Sequence, residues 1–257
     1  MSSRRLLAPL VFALLLFGGW EWAVRTYHPG SPFLPTPSAI LGWFWEASLD
    51  GSLAEATLVT LRRLALGFAL GAVLGLVIGG LCARSRTVRD AIGWLTLGLQ
   101  TLPSVCWVPL AILWFGQEEG AILFVTVMGT VWSVVLAVQE SVLSVPPLYV
   151  RAAKTMGSRG WHLWSQVLLP AALPGVVSGM KQGWAFAWRS LMAAEIFVVI
   201  LTGFGLGSMI HAGRELLRME QVVGVMTVVI FVGLLADLVL FGPVERWLRR
   251  SRGLGGS

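Results

Sequence analysis

The chain is poor in charge, cysteine and histidine, and each scarcity excludes something. Only 12% of its 257 residues are charged, about half the share of an ordinary soluble domain, so a water-soluble globule is excluded. The two cysteines, Cys82 and Cys106, lie inside apolar runs without C-x-x-C spacing. They read as core residues and leave no disulfide framework or zinc site. His28, His162 and His211 have no second histidine or acid at ligand spacing, and neither H-E-x-x-H nor G-x-S-x-G occurs, so metal-assisted and serine-nucleophile hydrolysis have no basis. "GFGLG" at 203–207 lacks a following Gly-Lys-Ser/Thr and reads as a flexible helix end rather than a phosphate loop. The adjacent Glu118 and Glu119 read as solvated loop charges. Nothing in the chain would bind or split a nucleotide.

Apolar sequence fills the space that charge leaves. Hydrophobic residues make up 56% of the chain, mean hydropathy is +0.78, and uncharged runs reach the roughly 20 residues a helix needs to cross about 30 Å of hydrocarbon. Their positions predict an all-α integral membrane protein with six spans near 6–25, 56–83, 90–114, 121–142, 174–200 and 221–243. The first span follows Arg4 and Arg5 like a signal peptide. Without an A-x-A-like cleavage site, and with Trp20 and Trp22 at its far end, it reads as a retained helix, cleavage being the alternative.

The net charge of +6 is not gathered in a basic, aromatic-interleaved stripe, so nucleic acid is not an expected partner. Arg4, Arg5, Arg84, Arg86, Arg89, Arg151, Lys154, Arg159, Arg246, Arg249, Arg250 and Arg252 all fall on one side of a six-span topology. The positive-inside rule makes that side the cytoplasm. Both termini and the segment "AAKTMGSRGWHLWSQVLLP" (152–170) are then cytoplasmic, while "WFGQEEG" (114–120), "TGFGLGS" (202–208) and the proline-rich "HPGSPFLPTPSAI" (28–40) are external. Trp43, Phe44 and Trp45 follow as a short interfacial stretch. No low-complexity linker or short repeat divides the chain.

Within the spans, Gly67, Gly71, Gly75 and Gly79 recur at every fourth residue and predict a smooth ridge for close helix packing. Pro103 and Pro109 would each free a backbone carbonyl, which is compatible with a broken helix lining a path or with a simple kink. Arg189 and Glu195 fall inside the fifth span, where charge is expensive and faces a cavity or a partner. Six residues apart, they sit on different faces and are expected to be satisfied by neighbouring spans rather than by each other. Lys181, Trp184 and Trp188 stand at i, i+3 and i+7 and share a face, with Arg189 to its side. If that face lines a path, a cation beside indole N–H donors suits a small oxyanion. Alternatively Lys181 snorkels to the headgroups and the tryptophans pack.

The segment at 151–170 carries a more specific pattern. "AAKTMG", then nine residues, then "VLLP" resembles the EAA loop of the permease subunits of bacterial ABC importers. "LPTPSAI", "TLRRLALGF", "PLAILWFG", "LPAALPGVVSGMKQGWAFAW", "AAEIF" and "GFGLGSMI" are similar to the branch that imports nitrate, sulfonates, taurine and bicarbonate. The resemblance covers nearly the whole chain from about residue 33. It implies a type I ABC importer (MetI-like) permease fold, with residues 1–52 as an N-terminal transmembrane helix and external loop, and 53–257 as the permease domain carrying a coupling loop near 146–170.

In such permeases the loop forms two short helices that enter a cleft on a separate ATPase. The resemblance therefore implies a coupling role for Arg151, Ala152, Ala153, Lys154, Gly157, Ser158, Leu169 and Pro170, with Gly157 at the turn. Arg151 departs from the motif, whose first residue is usually Glu. ATP and Mg would be bound by the partner, with no cofactor in this chain. A second permease copy, an external substrate-binding protein and the lipid bilayer complete the implied partners. Glu195 falls in the "AAE" position, where packing or a gate hinge is implied. The expected substrate is a small anion. A neutral or cationic substrate such as a thiamine-precursor pyrimidine, and outside transport an integral membrane enzyme or an anchoring protein, are the alternatives.

Overall fold

The computed structural model describes residues 4–200 and 203–251, and every regular element among them is helical. In chain order these are α1 (Arg4–Tyr27), α2 (Pro37–Leu49), α3 (Ser52–Arg84), α4 (Arg86–Thr101), α5 (Val108–Phe115), α6 (Glu119–Leu143), α7 (Pro147–Thr155), α8 (Gly160–Leu163), α9 (Leu169–Phe197), α10 (Leu206–Glu215), α11 (Met219–Ala236) and α12 (Gly242–Ser251). A 3₁₀ turn at Ser104–Trp107 precedes α5, and π turns at Trp164–Leu168 and Asp237–Phe241 carry α8 into α9 and α11 into α12.

Among the described residues, four helical stretches are long and apolar enough to cross a membrane: Ser52–Arg84, Glu119–Leu143, Gly160–Phe197 and Met219–Leu248. A fifth arises if α4 and the 104–115 stretch are taken as one span across a 105° bend. The third expected span is therefore broken, not gently kinked. The break sits where proline demands it: Leu102, preceding Pro103, leaves the helical region at φ −68°, ψ 121°, because a proline ring disfavours helix in the residue before it. Pro109 lies in the first turn of α5, where its missing N–H leaves no hydrogen bond unmade. The expected span at 6–25 falls on α1; the side chains of 4–10 lie outside the described residues. Beyond them Phe12, Leu14, Leu15, Leu16 and Phe17 are all exposed, an apolar surface suited to lipid.

The chain divides into two compact units. One comprises the described residues of Thr60–Ile200 and Val232–Ser257 and is organised around α6. The glycine ridge of α3 lies against it: a Cβ added at Gly67, Gly71 or Gly75 would come within 2.6 Å of Thr126, Thr130 or Val134, and one at Gly79 within 2.8 Å of the Val135 carbonyl. Only glycine lets the two backbones approach this closely. On its other side α6 meets α9 through a second set of small residues, with Gly129 against Ser190, Gly175 against Ser141 and Gly179 against Ala137. Phe124 of α6 also gathers Trp107, Trp114 and Phe115 in edge-to-face and tilted contacts.

The other unit comprises the described residues of Met1–Val59 and Leu201–Phe231. Glu21 of α1 accepts hydrogen bonds from the Ser38 N–H (3.0 Å) and hydroxyl (2.8 Å), joining α1 to α2, and Thr36 caps α2 by accepting from the Ala39 N–H. Trp43 packs over Gly224, while Trp45 is exposed, so the aromatic stretch serves packing as well as the surface.

Candidate functional site

The segment at 146–170 folds as a hairpin whose turn is set by its backbone. Helix α7 closes in a left-handed turn: Gly157 has φ +85°, its N–H donates to Lys154 O (3.0 Å), and the Ser158 N–H donates to Ala153 O (2.9 Å). This paired bonding satisfies the last carbonyls of the helix and favours glycine at the left-handed position. A Cβ at Gly157 would meet nothing within 4 Å, so the need for glycine is one of conformation, not space. Ser158, to which the resemblance gives a coupling role, is buried, and its hydroxyl lies 2.9 Å from His162 Nδ1. Ala153 is buried on the same side, whereas Arg151, Ala152, Lys154 and Arg159 are exposed.

The apolar side chains on the hairpin are exposed too: Met156 is 82% and Trp161 70% accessible. The second arm differs from the two separate short helices that the resemblance implies. Helix α8 has only four residues and runs through the π turn into α9, with Leu169 and Pro170 opening the long helix. A displacement of the hairpin therefore has a helical connection into the membrane.

At the far end of α9 is a charge constellation that sequence reasoning missed. Arg63 of α3 donates to Glu195 Oε1 at 2.9 Å, and the Thr60 hydroxyl lies 2.9 Å from Glu195 Oε2. Arg63, Thr60 and Glu195 are at most 2% accessible. Arg63 also reaches Glu119 at the start of α6, 3.3 Å away and half exposed, so Glu119 is half of an ion pair rather than a free loop charge. Three helices are thereby tied together. The signal was present in the sequence: Arg63 sits inside an apolar span, where an ionised group needs a partner, and Glu195 is expected to be satisfied by a neighbouring span, which is α3.

The four residues grouped as a possible path face divide between two environments. Lys181 Nζ pairs with Asp237 Oδ1 at 2.7 Å. Trp184 lies edge-on between Phe68 and Phe241, with ring centroids 5.2 and 5.9 Å away, and the Trp188 indole lies beside Gly233. Arg189 alone opens onto a cavity of about 290 Å³ at the break between α4 and α5, which it shares with Gln100, Ser104, Trp107 and Trp132. Its Nε donates to Ala185 O (3.1 Å) and its guanidinium lies 5.0 Å from the Phe186 ring centroid, which holds the fork in place. Among the described residues no carboxylate pairs with it, and it is the one ionisable residue lining the cavity. No group of three or more metal-ligating side chains occurs among the described residues.

Residues 71–252 match the family described as binding-protein-dependent transport system inner membrane component. The chain is 32% identical over 205 residues to a putative aliphatic sulfonates transport permease protein of Bacillus subtilis, covering 79% of this chain and 73% of that one. It is 27% identical over 221 residues to the bicarbonate transport system permease protein of Synechococcus elongatus, covering 86% and 74%. Among solved structures, the inward-facing methionine ABC transporter MetNI has a chain that superposes with a TM-score of 0.68 at 17% identity, over 78% of this chain and 98% of that one.

Proposed function

Because the chain belongs to the binding-protein-dependent transport system inner membrane components and is a multi-pass, non-catalytic permease subunit of an ABC importer, we propose that it forms the translocation path for a small oxyanion of the sulfonate or bicarbonate type. Two copies would face each other around that path, served by a pair of separate ATPase subunits and an external binding protein that delivers the substrate. Both termini would lie in the cytoplasm.

The observation that carries the anion assignment is Arg189, an exposed cation without a carboxylate partner among the described residues, on a cavity that holds no other ionisable group. A guanidinium is always charged and presents a planar fork that matches carboxylate-like oxygens. In a passage with little water, such a contact offsets part of the hydration that the anion gives up. Two relatives point the same way, since their names assign them sulfonates and bicarbonate.

The hairpin supplies the coupling. ATP-driven closure of the ATPase dimer would draw the hairpins together, and because α8 continues into α9, their motion would pass to the helix that carries Arg189 as a rigid-body switch.

Arg189→Gln is expected to lower uptake of an alkanesulfonate or bicarbonate by about tenfold or more, the scale of one lost charge-assisted contact. The complex should still assemble, and its ATPase should still respond to the binding protein. Normal uptake by Arg189→Gln, or a binding protein that carries a neutral pyrimidine or a cation, would overturn the anion assignment and leave the permease assignment standing.

A further inference from the structure

The cavity at the break between α4 and α5 offers more than a charge. At about 290 Å³ it lies at the lower edge of the roughly 300–1,000 Å³ of small-molecule pockets, so only a small occupant fits. Its lining divides by chemistry: Arg189, Ser104 and Trp132 bring polar groups, while Leu99, Leu102 and Met128 are apolar. The Arg189 Nε is engaged with Ala185 O, which leaves the two ends of the guanidinium fork for an occupant.

Trp132 adds an unmet demand. Its Nε1 atom is buried and has no hydrogen-bond acceptor among the described residues. An indole N–H can only donate, and a buried donor left unbonded is costly. Because this atom is enclosed within a single chain, a second copy or an ATPase laid on the outer surface does not reach it. Trp132 is part of the cavity wall, so an acceptor has to come by way of the cavity.

We propose that this cavity is a substrate-binding site held by the permease itself, and that it takes a short alkanesulfonate in preference to a tailless oxyanion such as bicarbonate. The sulfonate oxygens would lie between the Arg189 fork and Trp132, whose indole turns its N–H toward them, with the alkyl tail along Leu99, Leu102 and Met128. The proposal rests on the reading of Arg189 as the anion contact and sharpens it. A bare oxyanion would meet the donors and leave the apolar wall to water, whereas an apolar molecule would cover the wall and leave a guanidinium and an indole N–H without acceptors. A sulfonate with a short tail satisfies both. Selection would then take place twice, once in the external binding protein and again in the membrane.

The complex of the permease with its ATPase, held in nanodiscs without nucleotide or binding protein, can be titrated with labelled butanesulfonate and methanesulfonate by equilibrium dialysis. One site per permease chain is expected. Butanesulfonate should bind roughly 10- to 50-fold more tightly than methanesulfonate, the scale of three methylenes moved out of water, and bicarbonate should compete no better than methanesulfonate. Trp132→Phe should weaken both sulfonates about tenfold, the scale of one hydrogen bond to a charged group, and keep their ratio. Met128→Gln should instead lower the ratio by about threefold or more. Each affinity is read from a midpoint, which a partly unfolded preparation does not shift.

The absence of saturable binding, equal affinity for the two sulfonates, or an unchanged midpoint in Trp132→Phe overturns the proposal. Failure of the underlying reading has a different signature. If Arg189→Gln holds butanesulfonate as tightly as wild type, the site is merely apolar and the anion reading falls with the proposal. Equal affinities that both depend on Arg189 sink the preference for a tail and leave the anion reading intact.

Discussion

Replacing Glu195 with leucine is expected to cost about 3–5 kcal/mol of folded-state stability, the usual penalty when one member of a buried ion pair is removed and the other stays behind. Arg63 is buried with its Nη1 atom 2.9 Å from Glu195, and the pair lies among helices long and apolar enough to span a membrane, where a buried cation that loses a close carboxylate is costly. Glu119 would soften the loss only in part, because it is half exposed and more distant at 3.3 Å. Arg63→Met alone should be similarly harmful, because the buried Glu195 carboxylate loses its guanidinium.

The double variant Arg63→Met with Glu195→Leu separates a lost pair from lost packing. Replacing both charges with apolar groups of similar size is often neutral or stabilising, so the double variant should recover most of the thermal midpoint lost by either single variant in detergent. If the penalties of the single variants simply add, the two residues are not energetically coupled and the contact does not hold α3 to α9. Stability and transport should also part company: if the pair fixes the C-terminal end of α9 during the switch, the recovered double variant should take up substrate more slowly than wild type at normal ATPase activity.

The second large effect is expected at Gly157. Its φ of +85° is a region that β-branched residues essentially avoid, and an ordinary side chain in a left-handed conformation costs about 1–2 kcal/mol. No neighbour lies within 4 Å of the added Cβ, so Gly157→Val should insert and fold while the α7 turn opens. Uptake and co-purification of the ATPase should both fall by roughly tenfold, since 1.4 kcal/mol is a factor of ten in an equilibrium. Gly157→Asn is the control, because asparagine tolerates the left-handed region; it should retain most of both activities. Wild-type coupling in the valine variant would remove the turn from the mechanism.

Much of this was legible in the sequence because membrane helices depend on length and apolar composition, which a single chain displays directly. The ridge from Gly67 to Gly79 announced a close contact, though its partner, α6, could not be read from spacing alone. Gly157 was legible through the resemblance of "AAKTMG" to the EAA loop, which implies a glycine at the turn, and its φ of +85° agrees with that place. Arg63 was not, because hydropathy averaged over a span hides one charge among many apolar neighbours, and its partner Glu195 is 132 residues distant. The surroundings of Arg189 were hidden for another reason. A helical face can be drawn from residue spacing, but the side on which a cavity opens depends on the 105° break between α4 and the 104–115 stretch, and proline chemistry fixes the place of such a break without fixing its direction. Trp184 and Lys181 share their face with Phe68, Phe241 and Asp237, contacts that only the tertiary structure supplies.

On the proposed mechanism the hairpin couples a separate ATPase to movement of an anion past Arg189, and reconstituting the chain with its ATPase and binding protein in proteoliposomes, with accumulation of a labelled alkanesulfonate as the readout, tests this. Accumulation should require ATP, the ATPase and the binding protein together, and should fall sharply in Gly157→Val. Equal accumulation without ATP or without the ATPase would mean a passive carrier and would contradict coupling through the hairpin.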